Sequence, residues 1–246
     1  MSSTSTSCLV AAVTVLGCAT AFAAPAICEN KAAVPATIVE LYTSEGCSSC
    51  PPADRWLSTL KARPDVLALA FHVNYWDRLG WPDRFASPEA TARQHLLASA
   101  ARSDNVYTPQ VVVNGRDYRG WPTLAASKAA ASTSAIELLR EGDQVTAKVA
   151  ADKRPAQRVA GYWAVLEDAH QSQVRAGENA GETLKHDHVV RLYKPLAEWS
   201  SDKPYTSQLR VSAGAAEHPR RAAFVLVDPV TQKPLQAATL TLPPGC

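Results

Sequence analysis

Cys47-Ser48-Ser49-Cys50 sets two thiols three residues apart, between an apolar run at 37–43 and Pro51-Pro52. The apolar run reads as a buried strand, and the proline pair opens a helix, because proline is tolerated in a first helical turn. A thiol at a helix start feels the positive end of the dipole and the unpaired N–H groups, so its pKa falls and more thiolate forms near neutral pH. One sulfur can attack a disulfide and the other can resolve it, the geometry of a dithiol exchanger. Two other uses of this spacing stay open: half of a zinc site, and a fixed structural disulfide. Thr108-Pro109, just before a short strand (111–113) and an Asn114-Gly115 hairpin turn, adds to the exchange reading. A cis proline there would bring its neighbour's backbone beside the cysteines.

Other side chains could contribute. The loop YWDRLGWPDRF (75–85) brings Trp76 and Asp77, either as a ligand wall or as loop packing. His186 and His188, at i and i+2, would share one face of a strand and could ligate copper or zinc; the plainer reading is a Gly-rich hairpin tip followed by polar strand residues. His72 reads as core or rim, and His95, His170 and His218 as surface positions. Cys28 and Cys246 lie near the two ends and read as a structural disulfide joining them. No cofactor is expected, and the expected partner is a protein or small-molecule disulfide or thiol.

The elements that must position these residues alternate at first. A strand (37–43), a helix from Pro51 to about Ala62, a strand (66–74), a helix begun by Ser87-Pro88, the hairpin at 111–119 and an Ala-rich helix (122–131) give the order β-α-β-α-β-β-α. Beyond residue 132 the pattern changes to seven short strands, at 136–140, 144–151, 158–166, 189–193, 207–211, 222–227 and 237–242. That spacing suggests an all-β, sandwich-like module.

Composition narrows the function classes. The chain has 246 residues, 46% of them hydrophobic, with 25 Lys+Arg against 23 Asp+Glu. That balance offers no basic stripe for nucleic acid. Residues 8–28 carry no charge, and A-F-A ends a run too short to span a bilayer. Residues 1–23 are therefore expected to be a secretory signal, followed by a linker at 24–35. A lipoprotein signal anchored at Cys18 is the alternative, carried by Val15-Leu16-Gly17-Cys18. Periplasmic or secreted location would suit an even set of cysteines in the mature chain.

VELYTSEGCSSC and TPQVVVNG make residues 36–131 resemble a thioredoxin fold. More broadly, VELYTSEGCSSCPPAD, NYWDRLGWPDRF, VYTPQVVVNG and GENAGETLKHDHVVR resemble a bacterial family of secreted thioredoxin-like proteins known as domain of unknown function 1223. The resemblance implies an α/β thioredoxin-like domain at 36–131 followed by an all-β, sandwich-like domain at 132–246. It implies Cys47 as the attacking thiol, Cys50 as the resolving thiol and Thr108-Pro109 as the cis-proline position. It makes Glu40, on the first strand, the nearest match to a carboxylate that helps deprotonate the resolving thiol. A copper-binding module pairing the two cysteines with His186 or His188, and a noncatalytic interaction protein, are the competing expectations.

Overall fold

The computed structural model describes residues 28–32, 37–125, 134–212, 214–215 and 217–243. The expected signal, the alternative anchor at Cys18 and the Cys28–Cys246 pairing lie outside the described residues or side chains. Among the described residues there are two α-helices, α1 (Pro51–Thr59) and α2 (Pro88–Ala100). The strands in chain order are β1 (Cys28–Ala32), β2 (Thr37–Thr43), β3 (Val66–His72), β4 (Gln110–Val113), β5 (Arg116–Asp117), β6 (Ile136–Glu141) and β7 (Gln144–Val149). They continue with β8 (Arg158–Glu167), β9 (His170–Gln173), β10 (Thr183–His186), β11 (Val189–Ser200), β12 (Tyr205–Arg210), β13 (Arg220–Val227) and β14 (Pro234–Thr241).

One mixed sheet of eight strands, ordered β14-β13-β8-β11-β3-β2-β4-β5, runs through the molecule. This overturns the expected fold class of an α/β thioredoxin-like domain followed by a separate all-β sandwich. The protein is mostly β, and strands from both parts of the chain share one sheet. The join is β11 against β3, parallel, with Val189 opposite Ala70 and the Ala70 N–H donating to the His188 carbonyl at 2.8 Å. Strand β3 (VLALAFH) is apolar on both faces, so its free edge needs a partner to satisfy its backbone groups. Periodicity marks such a strand but not the strand that will lie beside it.

The seven expected later strands all form. Sequence reading missed β9 and β10, short polar strands that pair with each other, and β1, which lies in the stretch read as linker and pairs with β6. Residues 122–125 of the expected third helix are turn and irregular backbone, and the rest of it lies outside the described residues.

Period-two alternation sorts the core. Along β8, Tyr162, Ala164 and Leu166 join a cluster with Ile38, Tyr42, Phe71 and the apolar side of α2. Trp163 and Val165 point the other way, onto the four-stranded sheet β1-β6-β7-β12. Along β2, Val39 and Leu41 pack under α1 with Ala53, Trp56 and Leu57. Ser87 caps α2 by accepting from the Ala90 N–H at 3.0 Å, ahead of Pro88.

Candidate functional site

Strand β2 ends at Thr43, and the chain turns through residues 44–50 into α1. Cys47 and Cys50 are joined in a disulfide with Cα atoms 5.4 Å apart. Both cysteines are fully buried, at 0% exposure, while Ser48 and Ser49 between them are exposed. Cys50 sits at the cap of α1, and its carbonyl accepts from the N–H groups of Ala53 and Asp54. The thiols therefore lie where a helix start favours a thiolate.

The Thr108–Pro109 peptide is cis. Trp76 connects it to the cysteine turn: its Nε1–H donates to Thr108 Oγ1 at 2.8 Å, and its Cβ would lie 3.2 Å from any Cβ added at Gly46. A side chain at residue 46 would crowd the tryptophan, so glycine suits this close approach. Asp77 does not reach the cysteines. Its carboxylate accepts the Asp83 N–H at 3.1 Å and shapes the aromatic loop, and partial burial raises its pKa.

Glu40 belongs to the opposite face. Even-numbered residues of β2 point toward α2, so its carboxylate meets Arg93 (Nη2 to Oε1, 2.9 Å) and the hydroxyls of Tyr42 and Tyr162. Odd-numbered residues point toward α1, and there Thr43 donates to Asp54 Oδ2 at 3.1 Å. Asp54 is four residues after Cys50 on the same helix face and is buried. Burial raises its pKa, an effect that His186, His72 and the Thr43 hydroxyl only partly offset. Sequence reading missed Asp54; the signal was its i+4 spacing from Cys50 in CPPAD.

A buried polar network lies behind the turn. Glu45 accepts from Trp81 Nε1 at 2.8 Å and pairs with His186 Nε2 at 3.2 Å. The Glu45 N–H donates to Asp83, whose carboxylate pairs with His72 Nδ1 at 2.6 Å. Burial acts to raise Asp83, but His72 and the backbone N–H groups outweigh it and hold the pKa at about 2. Burial acts to lower His72, and Asp83 reverses the sign, so its pKa is raised.

His186 and His188 do not share a strand face. His186 ends β10 and joins the Glu45 network, whereas His188 has a left-handed backbone (φ 58°) and bonds Arg221 through its Nδ1. Burial, with Arg221 beside it, lowers the His188 pKa to about 4. Among the described residues no group of three or more His, Cys, Asp or Glu is arranged to hold a metal ion. His170 is buried against Phe85 and His218 rather than on the surface.

The second half of the chain reaches the cysteines through residues 177–181 (GENAG). Glu178 Oε2 accepts from both the Ser48 N–H (3.0 Å) and the Ser48 hydroxyl (2.7 Å). Asn179 Nδ2 donates to the carbonyls of Glu45 (2.8 Å) and Cys47 (3.0 Å). The family described as "Protein of unknown function (DUF1223)" matches residues 38–228, a span that includes the disulfide, the cis proline and this turn.

The chain belongs to the DUF1223 family.

A DUF1223 chain of this architecture is similar to two solved structures. Protein AGR_C_4864 from Agrobacterium tumefaciens is 25% identical, with a TM-score of 0.61 over 83% of this chain and 93% of that one. HBP35 of Porphyromonas gingivalis is 13% identical, with a TM-score of 0.57 over 87% of this chain and 79% of that one, a likeness of fold alone. No curated protein matches the chain.

Proposed function

We propose that this DUF1223 protein is a dithiol–disulfide exchanger of an exported compartment, with Cys47 and Cys50 as the reacting pair. The observation that carries the reading is the placement of the disulfide at the first turn of α1, with the buried carboxylate of Asp54 one turn further on. In the reduced protein the Cys47 thiolate attacks one sulfur of a partner disulfide, forming a mixed disulfide and expelling the first partner thiolate. The Cys50 thiol passes its proton to Asp54, and the resulting thiolate attacks Cys47 Sγ. This closes Cys47–Cys50 and releases the second partner thiolate. Two electrons move from the dithiol to the partner, and the same steps in reverse oxidise a partner dithiol. Trp76 and Thr108 form the wall beside the turn along which a substrate would lie.

The test uses the purified, reduced protein against insulin and glutathione disulfide. Wild type is expected to reduce them, Cys47→Ser to lose the activity, and Cys50→Ser to accumulate the mixed disulfide. Wild type that is inert toward both, or Cys47→Ser indistinguishable from wild type, overturns the reading.

A fixed structural disulfide is the second reading, favoured by the complete burial of both cysteines. A reduction potential well below about −300 mV would select it.

A further inference from the structure

Complete burial of Cys47 conflicts with attack on a macromolecular partner, and residues 177–181 are hydrogen-bonded to the turn that carries it. We propose that the 177–181 turn is a releasable clasp, and that the surface beneath it is the docking surface for an extended segment of a disulfide-bearing polypeptide. The proposal rests on Cys47 and Cys50 being the reacting pair.

Three observations carry it. The clasp's bonds run to the cysteine turn itself: Glu178 to Ser48, and Asn179 to the carbonyls of Glu45 and Cys47. The turn closes on itself through the Ala180 N–H, which donates to the Gly177 carbonyl, and is tied at its base to Val174 through the Gly181 N–H, so it can swing about that base. Its ends are glycines with φ of 75° and 92°, and Gly177 is pressed against Trp81, where an added Cβ would lie 3.2 Å from the Trp81 Cβ.

The clasp is unevenly held. The Glu178–Ser48 contact is exposed and shares its donors with water, whereas Asn179 is buried and has no such competitor. Releasing the turn frees one N–H and one hydroxyl on Ser48 and the Glu45 carbonyl, and leaves the Cys47 carbonyl with the Cys50 N–H alone. Buried backbone groups need replacement partners. An extended peptide supplies alternating carbonyl acceptors and N–H donors and can satisfy both kinds at once. A small thiol cannot.

The first test is the rate at which dithiothreitol reduces Cys47–Cys50 in the full chain. Its thiolate attacks Cys47 Sγ and expels the Cys50 thiolate, and its second thiol then closes the oxidised ring and frees Cys47. Asn179→Ala is expected to raise this rate at least tenfold and Glu178→Ala about threefold. Glu178→Ala alters only an exposed side chain, so it reports even if Asn179→Ala folds poorly. Rates within twofold of wild type in both variants overturn the clasp.

The second test loads Cys47 of Cys50→Ser as a mixed disulfide with mercaptoethanol or with a linear six-residue cysteine peptide, and follows amide hydrogen exchange. Residues 177–182 are expected to lose protection in both adducts, and the Ser48 amide to stay protected only with the peptide. Equal exchange of Ser48 in the two adducts overturns the docking surface. Both tests use chemical probes, so a protein inert in the insulin assay would fail as an exchanger while still reporting on the clasp.

Discussion

Asp54 tests the chemistry at the scale of one residue. A carboxylate buried beside α1 and held above its ordinary pKa binds its proton more tightly in the folded protein than in the unfolded chain. Its contribution to stability is fully present below the unfolded value of about 3.8 and is lost as pH rises through the raised folded value. At neutral pH the ionised group is therefore a cost. Asn keeps an oxygen to accept from Thr43 and carries no charge. Asp54→Asn is expected to melt at a higher temperature than wild type at pH 7, with the gap closing below about pH 4. The same change should slow release of the mixed disulfide, because the Cys50 proton has lost its acceptor. A variant that melts lower at pH 7, or that resolves the mixed disulfide at the wild-type rate, removes Asp54 from the proposed mechanism. The cysteine pair itself was legible because its meaning lies in local spacing. Glu40 was placed beside it by analogy of position, and strand alternation sends that side chain to the other face.

At the scale of elements, α2 is held to the sheet by a buried ion pair that reaches both halves of the chain. Arg93 meets Glu40 on β2, lies over the Tyr162 ring of β8 at 4.9 Å, and donates to Gln232 Oε1 at 2.7 Å. Removing one member strands a buried charge, which costs about 3–5 kcal/mol, whereas replacing both by apolar groups of similar volume can be nearly neutral. Arg93→Met is expected to lower the unfolding free energy by that amount in a denaturant titration, and Glu40→Met/Arg93→Met to recover most of the loss. A double variant as unstable as the sum of its singles would show that the two residues do not act as a pair. Helix α2 was legible from its Ser-Pro start, and β2 from its apolar run. Their connection was not, because the partners Glu40 and Arg93 are 53 residues apart and Tyr162 is further still. The two short strands β9 and β10 escaped for a different reason. HQSQ and TLKH carry little β-branched or aromatic character, and their stability comes from pairing with each other and packing on Phe85.

At the scale of the whole molecule, each half has a cluster of its own, under α1 in the first and between the two sheets in the second, but the largest-spanning cluster is shared between them. The cluster on the α2 side mixes Ile38, Leu69, Phe71 and Ala90 from the first half with Tyr162, Leu166, Val190 and Val225 from the second. Strand β3 depends on β11 for its outer edge, and β1, which precedes β2, is paired to β6 in the second half. A cut near residue 131 would therefore expose an apolar sheet face and an unpaired strand edge, the features that drive aggregation rather than independent folding. The pattern changes beyond residue 132 from alternating helices and strands to strands alone, but hydrophobic periodicity carries no record of which strands will pair. A fragment ending at residue 131 is expected to show no cooperative thermal transition by circular dichroism when separated from the fragment 132–246. Mixing the two, or expressing them together, should restore a single transition along with protection of the Ser48 amide, since Glu178 and Asn179 come from the second fragment. A first fragment that melts sharply by itself would make the shared sheet an association of two autonomous domains, and the clasp would then be a contact between domains rather than part of one cooperative core.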